Sequence, residues 1–254
     1  MRQQRHRPRP QDATPAADGA VWLYGLHAVS AALANPARRL RRLLVTRGAE
    51  QELAERFSPP WRIAPEPVER GRIDATLPPD AIHQGAALLV DPLPSPSMEK
   101  LLADTTGPVL VLDQVTDPRN VGAILRSAAA FGAAALVVQD RHAPQETGTL
   151  ARAASGALEV VPILREVNLS RALEQLKKGG LWVVGLEAAG PVTLAQSGLT
   201  GRRVALVLGA EGEGLRRLTR ETCDELVRLP IHPAMESLNV SAAAAVALYE
   251  LARE

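Results

Sequence analysis

Residues 1 to 19 show no apolar period, whereas from residue 20 onward apolar and polar positions fall into alternating blocks. In the front part a helical spacing runs from Gly25 to Leu33, LRRLLVTR (40–47) reads as a strand, Glu50 to Phe57 is amphipathic, and AALLV (86–90) reads as a second strand. The rear part is more regular. Five apolar runs, PVLVLD (108–113), AALVVQ (134–139), LWVVGL (181–186), VALVLG (204–209) and LVRLP (226–230), alternate with helical patterns. Continuous apolar strands separated by helices predict a mostly parallel sheet covered on both faces, an α/β fold. One helix runs from Asn120, a side chain able to cap it, to Phe131 and Gly132. The last, SAAAAVALYELARE, follows Ser237, Asn239 and Ser241, three further capping residues.

Between the two parts lies DPLPSPS (91–97), with three prolines in seven residues, a stiff connector. The organisation read from this is a basic, disordered arm at 1–19, a small α/β domain at 20–91, a proline-rich linker at 92–97 and a large α/β domain at 98–254. The arm is rich in Arg and Pro, suited to phosphate contact or to no role beyond a solvated tail.

Composition narrows the function classes. The chain has 254 residues, 46% hydrophobic and 22% charged, which is ordinary for a soluble globular protein. No apolar run approaches the roughly 20 residues of a membrane span, and no secretory segment is visible, so a cytoplasmic location is expected. A single cysteine, Cys223, excludes an intrachain disulfide, and no Cys/His spacing suits zinc; His27, His83, His142 and His232 are scattered. Seven aromatic residues are too few for base-stacking platforms. The net charge of +1 divides unevenly: residues 1–97 hold 13 basic and 10 acidic side chains (+3), residues 98–254 hold 16 and 18 (−2). Only three of the 29 basic residues are lysine, so positive charge is almost all guanidinium, which suits phosphate.

Three polar clusters follow rear strands: DQVTDPRNVGAILRS, GAEGEG and LPIHPAMESLN. Ligands of open parallel sheets bind beyond the carboxyl ends of strands, which makes these loops the default site. GAEGEG invites a phosphate-binding reading, but Glu211 and Glu213 would repel phosphate and suit a cationic ligand; a tight turn into a helix is the plainer alternative. The P-loop GK[ST] is missing, and so is a dinucleotide GxGxxG after the first rear strand. Arg126 lies either on the helix surface or toward a site, and Ser237 and Asn239 read equally well as plain caps.

In order and spacing, DQVTDPRNVGAILRSAAAFG, LVLGAEGEGL and LPIHPAMESLNVSAAAAVALYE resemble the three signature motifs of the SpoU-type (TrmH-like) RNA ribose 2′-O-methyltransferases. ARAASGALEVVP (151–162) resembles the family's intervening segment; WLYGLHAV (22–29) and HQGAALLV (83–90) resemble its N-terminal substrate-binding domain. The resemblance implies an α/β SPOUT domain with a C-terminal trefoil knot, an L30e-like RNA-binding domain in front, S-adenosyl-L-methionine as cofactor, no metal, and a homodimer joined through the knotted regions. The front domain most resembles that of the 23S ribosomal RNA guanosine-2′-O-methyltransferases. Two alternatives stay open: a transfer RNA ribose 2′-O-methyltransferase, although close relatives lacking that domain are the ones that act on transfer RNA, and a non-catalytic RNA-binding protein, which a damaged motif set would favour.

Carried over by position, the resemblance implies Asn120, Arg126, Glu211, Ser237 and Asn239 as the catalytic set, and Gly209, Leu229 and Leu238 as cofactor contacts. Pro233 and Glu236 depart from the family's usual glycine and serine, and Pro233 removes an amide donor from the cofactor loop. In RRLRRLLVTR, Arg38, Arg39, Arg41 and Arg42, with Arg47 behind them, read either as a solvated face or as phosphate contacts of the RNA-binding domain.

Overall fold

The computed structural model describes residues 19–104, 106–199 and 201–253; nearly all of the basic arm therefore lies outside the described residues. The chain divides into two compact units, one running to Pro92 and including Thr147–Thr149, the other made of Leu93–Glu146 and Leu150–Glu254.

In chain order the first unit contains β1 (Val21–Tyr24), α1 (Leu26–Ala34), β2 (Leu40–Val45), α2 (Arg47–Arg56), β3 (Pro65–Pro67), α3 (Arg70–Asp74) and β4 (Ala86–Val90). Its mixed sheet has the order β1-β4-β2-β3, with only the β2/β3 pair parallel. The connection into β4 is held by His83, whose buried imidazole accepts the Gly85 amide at Nδ1 (3.0 Å) and meets Asp74 Oδ1 through Nε2 (2.8 Å).

Four expected phosphate contacts fall at the start of this sheet, and one is corrected by the structure. Arg38 is only 1% exposed and donates from Nη1 to the carbonyl of Asp91 (2.9 Å), so its guanidinium is an internal brace that RNA does not reach. Arg41 is ion-paired with Asp91, and Arg42 donates from Nε and Nη2 to both Glu66 oxygens at 2.7–3.0 Å. That contact holds the Glu66 carboxyl below the usual carboxylate range and raises the Arg42 guanidinium above its own. Arg39 also reaches Asp91, with Nε 3.4 Å from Oδ2, but with 80% of its side chain exposed it is the most open of the four.

The second unit continues with α4 (Met98–Asp104), β5 (Val109–Asp113), α5 (Pro118–Ala130), β6 (Ala135–Gln139), α6 (Gly148–Ala154), β7 (Ile163–Glu166), α7 (Leu169–Lys178), β8 (Trp182–Leu186), β9 (Val192–Thr193), β10 (Val204–Gly209), α8 (Arg217–Thr222), β11 (Glu225–Arg228) and α9 (Val240–Ala252). The sheet order is β7-β6-β5-β10-β8-β11-β9, and every pairing is parallel, as the alternation of apolar runs and helices predicts. Val109, Val111, Val137, Val183, Ala205 and Val207 pack on one face with Leu169, Leu173 and Leu176 of α7. The intervening Leu110, Leu112, Leu136, Val138, Leu206 and Leu208 are equally buried and, by the two-residue period, point to the opposite face, which α5 and α9 cover.

Strands β1, β3, β7 and β9 were not among the expected apolar runs, and all four are sheet edges. An edge strand pairs on one side only, so it tolerates PEP, ILRE or a two-residue VT without a continuous apolar stretch. The start of α5 also differs from expectation. Asp117, not Asn120, is the N-cap: its carboxylate accepts the Arg119 amide (2.8 Å), and Pro118 occupies the first position, where no donor is required. Close packing of α6 on α5 requires Gly122, since a Cβ there would stand 2.5 Å from the Leu150 carbonyl oxygen and 2.6 Å from Ala153 Cβ.

Cys223 packs against the core beneath β8, and burial pushes its thiol up to about 12. A thiol raised so far stays almost wholly protonated at pH 8, so Cys223 is expected to resist iodoacetamide in the native protein and to react after unfolding, with mass spectrometry as the readout. Arg38→Ala is expected to cost about 2–4 kcal/mol by removing a buried brace, whereas Arg39→Ala stays within about 0.5 kcal/mol; thermal melting of the two variants checks the contrast.

Candidate active site

Strand order reverses between β5 and β10: the chain fills β5, β6 and β7 to one side, and β8, β10, β11 and β9 to the other. Crevices open beyond the carboxyl ends of strands at such a point. Here Gly209, the last residue of β10, lies in register with Asp113, the last of β5. Asp113 is fully buried and its two oxygens accept the amide (3.0 Å) and Nε (2.6 Å) of Arg216, which ties the far end of the loop after β10 back to β5. Neither residue stood out in the sequence; a lone aspartate closing an apolar strand was the available signal.

Within that loop, GAEGEG folds back on itself. Ala210 and Gly214 form an isolated bridge, and a Cβ on Gly209 would fall 2.2 Å from the Gly214 carbonyl carbon. Gly212 and Gly214 have φ values of +82° and +67°, backbone that favours glycine. The tight turn thus presents Glu211 outward. Its Oε1 accepts the Asn120 amide Nδ2 (3.1 Å), the Asn239 Nδ2, and the backbone amide of Val240 (3.4 Å). Asn239 Nδ2 also donates to Asn120 Oδ1 (3.1 Å), closing a three-member network.

Asn239 is at the same time the N-cap of α9, its Oδ1 accepting the Ser241 amide at 3.0 Å. One side chain serves both the helix cap and the network, because the amide has an acceptor for the helix and donors for Glu211 and Asn120. Displacement of Asn120 from the capping position by Asp117 likewise leaves its amide free to face Glu211.

Beside the network lies a cleft of about 390 Å³. Gly209, Glu211, Leu229, Ser237 and Leu238, all selected from the sequence, line it, together with Glu187 and Ala188 at the end of β8, which were not. Its walls are apolar, from Leu186, Leu208, Leu229, Ile231 and Val240, while Glu211, Glu213 and Glu236 supply carboxylates. Glu187 is already ion-paired with Arg220. A mixture of apolar wall and negative charge suits a flat apolar group joined to a cation and opposes a phosphate. Ser237 is exposed, and its hydroxyl has no partner among the described residues. Pro233 is accommodated at the second position of a turn closed by the Met235 amide on the His232 carbonyl (2.9 Å), where its fixed φ is favourable.

Arg126 stands apart from these residues. It lies on α5, exposed, six residues beyond Asn120, makes no hydrogen bond or ion pair among the described residues, and does not line the cleft. Among the described residues no group of three or more His, Cys, Asp or Glu side chains is placed to hold a metal ion, and no helix is long and apolar enough to cross a membrane.

Comparison with known proteins gives a consistent result. The model of the SpoU rRNA methylase family matches residues 107–249, and that of the RNA 2′-O ribose methyltransferase substrate-binding domain matches residues 22–96. The 23S rRNA (guanosine-2′-O-)-methyltransferase RlmB of Pseudomonas syringae pathovar tomato is 40% identical over 240 residues, covering 91% of this chain and 95% of its own. The Escherichia coli K12 protein of the same name is 38% identical over 242 residues, covering 91% and 98%. Among solved structures, the SpoU methyltransferase AviRb from Streptomyces viridochromogenes, in complex with AdoMet, has a TM-score of 0.76 at 23% identity over 92% of this chain and 90% of that one, a likeness of fold.

The network makes a pH-dependent prediction. Asn239→Asp keeps the α9 cap but sets a second carboxylate against Glu211, and like charges raise a folded-state carboxyl pKa. The deficit in melting temperature relative to the unsubstituted protein is then expected to be present at pH 8 and to shrink toward pH 5 as one carboxyl takes up a proton. Asn239→Ala, which loses the cap, is expected to cost about 1 kcal/mol at both pH values.

Proposed function

The chain belongs to the SpoU rRNA methylase family, and from that membership we propose that it is a cytoplasmic, S-adenosylmethionine-dependent enzyme that methylates the ribose 2′-oxygen of a guanosine in 23S ribosomal RNA. The observation that carries the site assignment is the convergence of Asn120, Glu211 and Asn239 in one hydrogen-bonded network at the mouth of a cleft lined by Ser237. The cleft fits the cofactor on its own chemistry: apolar walls for an adenosine and carboxylates for its cationic groups. Gly209, Leu229 and Leu238 would hold it. When bound, S-adenosylmethionine supplies a methyl group on a cationic sulfonium, electrophilic toward oxygen.

The chain's own residues must orient a ribose hydroxyl and stabilise charge that develops on its oxygen. The family resemblance assigns that charge and the adjoining RNA phosphate to Arg126, which is exposed and without an internal partner among the described residues but lies outside the cleft lining. A guanidinium does not act as a base near neutral pH, so the hydroxyl proton leaves to a phosphate oxygen or to water. Glu211 is a positioning residue: its Oε1 is occupied by three N–H donors and fixes the amides of Asn120 and Asn239. The second Asn120 Nδ2 hydrogen and the free Ser237 hydroxyl orient sugar and phosphate for transfer, an effect that contributes several kcal/mol to such reactions, while Asn239, whose two Nδ2 hydrogens go to Glu211 and Asn120, holds the loop in place. A homodimer accords with the exposed apolar Val246 and Tyr249 on α9. The front unit supplies RNA affinity through its open guanidinium groups, Arg39 foremost.

Labelled S-adenosylmethionine incubated with separate pools of unmodified 23S RNA, 16S RNA and transfer RNA is expected to mark one guanosine of 23S RNA; label confined to transfer RNA would overturn the substrate assignment. Arg126→Ala is expected to lower kcat by about 10²-fold or more with cofactor affinity unchanged, and Arg126→Lys turning over near the unsubstituted rate would sink the role assigned to the guanidinium.

A further inference from the structure

A second cavity, of about 450 Å³, opens at the same carboxyl edge of the large sheet, beyond β6 and β7. Its lining joins Gln139 at the end of β6, the turn Val167–Ser170 leading into α7, and Arg216–Thr219 at the start of α8. None of these residues belongs to the cleft or to the network around Glu211.

Three features of its chemistry converge. Gln139 Oε1 and Thr219 Oγ1 are both buried without a hydrogen-bond partner, and Thr219 as a whole is only 1% exposed. Leaving two buried polar atoms unpaired in one cavity is costly unless a ligand satisfies them. At the mouth, Val167 (71% exposed) and Leu218 (58% exposed) leave apolar surface to solvent. The ten-residue helix α7 begins here: Asn168 caps only the Arg171 amide, so the Leu169 and Ser170 amides lack partners among the described residues, and Arg216, whose Nε is held by Asp113, lines the same cavity with a half-exposed side chain. Helix amides and a guanidinium recognise phosphate; apolar jaws above an unpaired acceptor and hydroxyl match a nucleobase, whose edge carries N–H groups beside acceptors.

We infer that this cavity is a subsite for one nucleotide of the RNA, its base held between Val167 and Leu218 with an edge on Gln139 and Thr219, and its phosphate on the start of α7 and Arg216. The inference rests on the RNA-methylation reading and extends it. Glu211 and Arg216 are five residues apart on one loop, at most about 18 Å even if fully extended, so a short single-stranded stretch reaches from the cleft to this cavity. Recognition here is of a nucleotide flanking the methylated one and tolerates any base that presents a donor and an acceptor.

The test uses the full-length protein carrying Thr219→Val or Gln139→Leu, with nucleoside 5′-monophosphates and, in parallel, inorganic phosphate as probes in calorimetric titrations and crystal soaks. Removing an unpaired buried polar atom is expected to leave melting temperature equal or higher, while mononucleotide affinity falls about tenfold and KM for 23S RNA rises with kcat and cofactor affinity unchanged. A structural role alone would move melting temperature and leave KM where it was. Unchanged mononucleotide affinity and RNA KM in both variants, density for water alone after soaking, or inorganic phosphate binding as tightly as the mononucleotides would each overturn the subsite. Failure of the unsubstituted protein to methylate any RNA would instead overturn the reading on which it rests, and the mononucleotide titrations would still decide the cavity.

Discussion

A single oxygen, Glu211 Oε1, gathers the functional end of the large unit. It accepts from Asn120, 91 residues earlier in the chain, and from Asn239, 28 residues later, and it also takes the amide of Val240 at the head of α9. Each of the three segments leaves a different place in the sheet region, and none is fixed in this geometry by its own local sequence. The helix caps deliver the partners: Asp117 and Pro118 start α5 so that Asn120 is free, and Asn239 caps α9 with its carbonyl while its amide nitrogen faces Glu211. The glycine turn is equally necessary, since only residues tolerant of positive φ, with no Cβ at Gly209, let the loop double back and hold Glu211 outward.

How much of this was legible from the chain follows from what each signal depends on. Four of the five inner strands of the large sheet, β5, β6, β8 and β10, were readable because a strand buried on both faces is apolar nearly throughout, whereas β11, ELVR, is only partly buried. The four edge strands were not, because one-sided pairing lets proline and charge in. Position after inner strands was enough to select the three loops that meet at the switch point, and the family's motif spacing singled out Asn120, Glu211, Ser237 and Asn239 among their residues. The hydrogen bonds among them depend on tertiary placement, and so does the division of labour at α5, where two acceptors three residues apart, Asp117 and Asn120, both satisfy the capping pattern.

The arginines of the front unit illustrate a different limit. A run of guanidinium groups records charge, not its availability, and here neighbouring acceptors use much of it: the Asp91 carbonyl for Arg38, the Asp91 carboxylate for Arg41, and the Glu66 carboxylate for Arg42. Arg38 lies in a run indistinguishable in composition from its neighbours, yet it is buried while Arg39 is open. The distinction is set by which residue of the run precedes β2 on its inner side, a property of register that a charge count does not contain.

The loop after β10 has two faces and serves both. Its first half, Gly209–Gly214, lines the cleft; its second half enters α8 and lines the cavity over β6 and β7. The boundary between them is the Asp113–Arg216 contact, in which a fully buried carboxylate accepts both an amide and Nε from one arginine. Burying a carboxylate is unfavourable unless it is paired and hydrogen-bonded, so this contact holds the loop at one place on the sheet edge instead of leaving it free to slide. An RNA strand lying across that edge meets a loop whose two halves are anchored at opposite ends, by Glu211 to α5 and α9 and by Arg216 to β5. In the reading proposed above, a target ribose over the cleft and a nucleotide in the neighbouring cavity would be placed relative to each other by this one fixed loop, which lines both.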